Sequence, residues 1–186
     1  IQGILKDSKA WDGLGSTNTG VLEIGKQQAF TSGYFNGLID DVRIYNYART
    51  QRQIISDMLG SKPAYPDGYV GYWKFDGSAN DETGNNNGTI QGDPQFVDGV
   101  QGQALSFDGD GDYVDLGFDP SDGSPLEFSV SLWIKVTAEG AYDYILDNTD
   151  GSKGIALRRY ASGDSLDFFV YSGGNTGFVG RNNILP

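Results

Sequence analysis

The chain has 186 residues, a net charge of −12, no cysteine and no histidine. Those absences exclude disulfides, zinc–thiolate centres, cysteine nucleophiles and histidine-based triads. The acidic balance, with no Lys/Arg run, excludes a phosphate-binding face, so neither nucleic acid nor an anionic membrane is an expected partner. Along the chain, Val21-Leu-Glu-Ile24 is the first strand candidate. Leu38-Ile-Asp-Asp-Val-Arg-Ile-Tyr45 is the second. Its alternation puts Leu38, Asp40, Val42 and Ile44 on one face. An ionised Asp40 on the core side is costly without a partner. A calcium ion at the sheet rim would resolve that cost. A bulge turning Asp40 outward, or an ion pair with Arg43, would do so without a metal.

Thr50-Gln-Arg-Gln53 predicts a capping box opening one short helix near 50–59. Ile54, Ile55, Met58 and Leu59 lie on one face of it, and Gly60 stops it. Residues 61–68, with two prolines and a glycine, form the best linker candidate. Strand candidates follow at Val70–Phe75, Gly102–Phe107 and Tyr113–Leu116. Asp108-Gly-Asp-Gly-Asp112 between the last two lacks the Gly and Glu positions of an EF-hand and reads as a hairpin turn. Phe128–Val136 alternates most cleanly: Phe128, Val130, Leu132, Ile134 and Val136 on one face, Ser129, Ser131, Trp133 and Lys135 on the other. Ile155–Arg158 and Leu166–Tyr171 complete the set. Of 25 acidic residues only Glu23, Glu82, Glu127 and Glu139 are glutamate. Aspartate favours turns, caps and calcium loops, and the 28 glycines fit many tight turns. No apolar run reaches the roughly 18 residues of a membrane span.

Two blocks carry a family resemblance. Tyr34-Phe-Asn-Gly-Leu-Ile-Asp-Asp-Val-Arg-Ile-Tyr-Asn-Tyr-Ala-Arg49 resembles the closing strand of a laminin-G-like, concanavalin A-like jelly roll of the bacterial surface type. Gly71-Tyr-Trp-Lys-Phe-Asp76, Asp81-Glu-Thr-Gly-Asn-Asn-Asn-Gly-Thr89, Gly102–Gly109, Asp112–Asp115 and Phe128–Ile134 resemble its opening half. The resemblance implies an all-β fold, an antiparallel two-sheet jelly-roll sandwich. The closing block stands first, so the chain divides into 1–60 as the C-terminal part of one jelly roll, a linker at 61–68, and 69–186 as the N-terminal part of another. It is either a window on a tandem array or a permuted, strand-exchanged unit in which the two parts complete one sandwich. In the first case Asp40 and Asp81 belong to two sites; in the second they meet around one ion.

The resemblance also implies a structural Ca²⁺ held by the first Asp of the I-D-D motif, Asp40, with Asp81 and Asn85 from the loop after the opening strand. Glycosidases of this architecture use an E-x-D-x-x-E strand, which is absent here. The nearest pair, Asp164 and Asp167, falls on opposite faces, so no enzymatic activity is expected. Trp133 and Tyr171 are the candidate ligand-binding aromatics, with Tyr142, Tyr144, Phe169 and Phe178 behind them. The expected function is a calcium-stabilised adhesion or carbohydrate-binding module of a repetitive secreted or surface protein, bacterial or archaeal. Its partner would be a glycan or a cell-surface or matrix protein. The alternatives are a structural repeat assembling a filament or layer by strand exchange with identical subunits or neighbouring repeats, and an accessory domain of a carbohydrate-active enzyme.

Overall fold

The computed structural model describes residues 20–28, 30–60, 69–120, 128–137, 142–150, 153–160, 165–172 and 175–181. The proposed linker at 61–68, Asp164 and the side chains of Tyr142 and Phe178 lie outside the described residues. The elements in chain order are β1 (Glu23–Ile24), β2 (Asn36–Tyr45), α1 (Gln51–Met58), β3 (Tyr69–Trp73), β4 (Thr89–Gln91), β5 (Gln95–Asp98), β6 (Gln103–Asp108), β7 (Tyr113–Asp115), β8 (Ser129–Val136), β9 (Tyr142–Asp147), β10 (Gly154–Tyr160), β11 (Ser165–Ser172) and β12 (Asn175–Arg181). They form an antiparallel jelly-roll sandwich with one short helix.

One sheet runs β12-β11-β10-β9-β1-β7-β4. The smaller one is organised around β2. Along one edge β2 pairs with β8 from Gly37 to Tyr45. Its other edge is shared end to end: β6 pairs with Asn36–Ile39 and β3 with Val42–Tyr45. β5 continues the sheet beyond β6. Thus β1 and β2, which precede residue 61, sit within sheets whose other described strands all come from residue 69 onward. Between the sheets lies one apolar core that includes Leu22, Ile24, Ile39, Ile44, Trp73, Leu105, Phe107, Val114 and Leu146. Fully burying a large apolar side chain contributes about 1.5–3 kcal/mol, so such a core supplies the main driving force.

The capping box forms as the sequence predicts: Thr50 caps α1, its hydroxyl accepting from the Gln53 amide while Gln53 Oε1 accepts from the Thr50 amide. Gly60, at φ +66°, ends the helix and donates to Asp57 O. Yet the apolar stripe does not face the sandwich. Ile54 and Ile55 are exposed, Leu59 is 76% exposed, and the buried helix residue is Asp57. The helix is held by a polar clasp instead. Asp57 accepts from the Arg49 guanidinium and from Tyr45 OH (3.0 Å). Arg43 donates to Asp57 O (3.4 Å) and Tyr72 OH (2.8 Å) and pairs with Asp41 at 3.3 Å.

The strict alternation expected for β2 also fails. Asp41 takes a left-handed backbone conformation, φ +53°, where the register against β8 shifts. Asp tolerates that conformation better than most residues. The irregularity changes parity, so Ile39, Val42 and Ile44 are core residues while Leu38 is only half-buried and outside the core. The Asp108–Asp112 turn needs a second correction. It is not a hairpin, because β6 and β7 belong to different sheets; it carries the chain across the sandwich.

Candidate functional site

Asp40 leaves the core face without reaching solvent. It is 2% exposed and lies where β3 and β6 succeed one another on the edge of β2. Its Oδ2 accepts from the amides of Val100 (2.8 Å) and Gln101 (3.4 Å) in the β5–β6 turn. That turn needs glycine at 99, because a Cβ there would stand 2.5 Å from Asp40 Oδ2. Oδ1 has no hydrogen-bond partner. Burial pushes the carboxyl above its ordinary range; the Val100 amide lowers it and neighbouring Asp41 raises it. Arg43 pairs with Asp41, not with Asp40.

Asp81 is occupied differently. Oδ1 accepts from the amides of Tyr72 (2.9 Å) and Thr83 (3.0 Å). Oδ2 accepts from the amides of Asn85 (3.3 Å) and Asn86 (3.0 Å) and from the Thr83 hydroxyl. Asn85 turns its side-chain amide to donate to Thr83 Oγ1. Donors converge where a cation would need lone pairs, so Asp81 and Asn85 do not fit calcium. Asp40 alone offers one free oxygen where calcium takes six to eight. No hydrogen bond joins Asp40 to Asp81: each carboxylate ties down its own loop. Chelation with EDTA is therefore expected to move the thermal midpoint by less than about 2 °C, under roughly 1 kcal/mol. A larger fall would show that an ion replaces these hydrogen bonds.

A tighter acidic group stands elsewhere. Asp93, Asp108 and Asp112 bring carboxylate oxygens within 4.8 Å of one another. Asp112 is engaged on both oxygens, by the Asp93 amide (2.8 Å) and the Asp108 amide (3.3 Å), which makes it the tie of this turn.

The candidate ligand aromatics part company. Trp133 lies across from Asp40 in the β2–β8 register. Its neighbours Leu132 and Ile134 pack on the core, so it stands on the outer face of the smaller sheet. Tyr171 stands on the outer face of the seven-stranded sheet. There the row Leu146–Leu157–Phe168 points into the core, and the row Asp147–Ala156–Phe169 points away. Tyr144, Ala156 and Phe169 form a second apolar cluster on this outer face, with Tyr171 packed against it. The Phe169 and Tyr171 rings stack at 5.9 Å. The Arg158 guanidinium sits 4.3 Å over the Phe169 ring, donates to Tyr144 OH (3.2 Å) and pairs with Asp167 at 3.7 Å. Burial raises the Tyr171 hydroxyl, with Tyr144 and Asp147 adding to the shift and Arg158 opposing it.

Beside the aromatics runs a row of acids that sequence reasoning missed. Glu23 lies directly opposite both Asp115 and Asp147. Cross-strand partners bring Cβ atoms to about 5 Å, and like charges so placed repel. Glu23 is 6% exposed and Asp147 0%. Lys26 donates to Glu23 Oε1 (3.2 Å), while Oε2 has no partner. Asp147 accepts from the amides of Gln28 (3.1 Å) and Thr149 (2.8 Å). Burial raises Glu23, with Lys26 opposing and Asp115 adding. Burial, and to a lesser degree Glu23, push Asp147 up to about 6 against the amides that lower it. The available signal was a glutamate in the Val21–Ile24 strand; its partners are remote in sequence.

Fold and site thus define a two-sheet jelly roll with an aromatic and charged outer face. Residues 1–55 match a laminin G family model described as the concanavalin A-like lectin/glucanases superfamily. The laminin-G-like resemblance of the closing block is borne out over that span. No curated protein and no solved structure matches the chain significantly. Among the described residues, no helix is long and apolar enough to cross a membrane.

Proposed function

We propose that this chain is an extracellular carbohydrate-binding module, with the described strands before residue 61 and after residue 68 acting as one sandwich. Its ligand face is the outer face of the seven-stranded sheet around the half-buried Tyr171, which packs on the buried Tyr144 and Phe169. That cluster carries the reading. A group of aromatics on the side of a sheet turned away from the core has no packing role in the sandwich interior. The Tyr171 ring with Arg158 nearby, both half-buried, offers what a sugar needs, an apolar surface with a charged hydrogen-bonding group at its border. The superfamily of the matched model, lectins and glucanases, points toward glycans as well.

Binding without catalysis is the favoured form. A glycosidase needs an accessible pair of carboxylates. Glu23 and Asp147 are paired but buried, and both Asp147 oxygens are filled by backbone amides. On a glycan array the chain is expected to retain a polysaccharide, and Tyr171→Ala to weaken that binding about tenfold or more with an unchanged circular dichroism spectrum. Absence of binding to any glycan, or unaltered binding by the variant, would overturn the assignment.

A further inference from the structure

Burial is uneven across the sandwich. Inward residues around β1, β2 and β7, such as Ile24, Ile39, Ile44 and Val114, are fully buried. At the other side the inward residues Val130, Leu132 and Ile134 of β8, and Phe168 and Val170 of β11, pack on the core but stay only half-buried. Phe128 and Phe168 face each other there at 5.9 Å between rings. The cause is β8. It pairs with β2 along one edge, and among the described residues no strand pairs with its other edge.

An open edge is normally blunted by short length, charge, proline or a bulge. β4 and β5 have three and four residues. β8 has eight, no proline and one charge, Lys135, and the irregularity opposite it lies on the β2 side. A long, regular, apolar edge beside half-buried core residues is a template for another strand.

We propose that β8 is an assembly edge, pairing antiparallel with β8 of a second copy of this chain about a twofold axis at Leu132. The sequence of β8 is self-complementary in this register. Inward, Leu132 meets Leu132 and Val130 meets Ile134. Outward, Ser131 meets Trp133 and Ser129 meets Lys135. No like charges face each other, which matters for association of two chains of net charge −12. The smaller sheet then runs through both copies, and each covers the open side of the other. Such a twofold interface is closed and isologous.

Sedimentation velocity on this chain tests the proposal. A dimer is expected at concentrations on the order of 10 µM; a monomer throughout overturns it. Because the chain has no cysteine, Leu132→Cys places a lone thiol on the twofold axis. A short thiol cross-linker should give covalent dimer with this variant and not with Phe30→Cys, at an exposed position. A dimer that does not cross-link at 132 overturns the β8 pairing. In the unmutated chain, amide protection in β8 should rise with protein concentration, which tests the same edge should Leu132→Cys fold poorly. Protection in β8 independent of concentration overturns the pairing.

Discussion

Asp57→Ala should lower unfolding free energy by about 3–5 kcal/mol, the range for breaking a buried ion pair by removing one partner. The position looks unremarkable in sequence, an aspartate in a short surface helix. In the fold it is 1% exposed and holds α1 to the sandwich. Because Ile54, Ile55 and Leu59 face outward, little apolar burial is left to keep the helix in place. An eight-residue helix has no independent stability in water. Removing the carboxylate would strand the Arg49 guanidinium, which lies 4.1 Å over the Tyr45 ring and donates to Tyr47 OH at 2.7 Å. The Tyr45 hydroxyl would keep only its 3.3 Å contact with Tyr69 OH. Tyr45→Phe removes the hydroxyl that meets both Asp57 and Tyr69 and should cost about 1–2 kcal/mol. Urea unfolding of the two variants measures both. A loss under 1 kcal/mol for Asp57→Ala would mean that α1 is dispensable to the sandwich.

This clasp shows why part of the fold was legible and part was not. The alternation of Phe128–Val136 reported its inward face correctly, since every member of the stripe packs on the core. The Thr50–Gln53 box marked the helix start to the residue. Both signals are local. What the helix packs against is not local, and a stripe of Ile and Leu was outweighed by an aspartate whose arginine and tyrosine partners lie on β2 and just beyond it. β9 escaped notice because Ile145 and Leu146 both enter the core at an irregularity against β10, which breaks the period of two. β4 and β5 are too short to show a period. Asp40 was recognised as an anomaly, but the backbone conformation of Asp41, which moves it off the core face, has no sequence signature beyond two adjacent aspartates. The acid row was hidden for another reason: Glu23 and Asp147 meet only after β1 inserts between β7 and β9.

That row gives the second large effect. Raising the pH from 5 to 8 should lower the stability of the fold, by roughly 1–2 kcal/mol from Asp147 alone. In the folded chain Asp147 is raised from 3.8 to about 6 by burial, against the amides of Thr149 and Gln28, with Glu23 adding to the rise. The folded state therefore holds a proton that the unfolded chain releases near its ordinary value. The stabilisation is fully present below about 3.8 and is lost as the pH rises through about 6. Glu23, Asp40 and Asp112 are raised as well, each chiefly by burial, so they act with the same sign. Glu23 adds to the rise at Asp147, so its charge bears on the same transition. Deprotonation leaves Asp115, Glu23 and Asp147 charged side by side with Lys26 as the cation bound to Glu23. The strain falls on the segment after β1, which is tied down through Gln28 to Asp147 and Lys26 to Glu23. Denaturant midpoints recorded across this range should decline toward pH 8, and Asp147→Asn should flatten the decline. An unchanged slope in the variant would place the titration elsewhere. Because Asp147 acts electrostatically on Tyr171, the proposed glycan binding should change in affinity over the same pH range, a coupling that an unrelated titrating group would not produce.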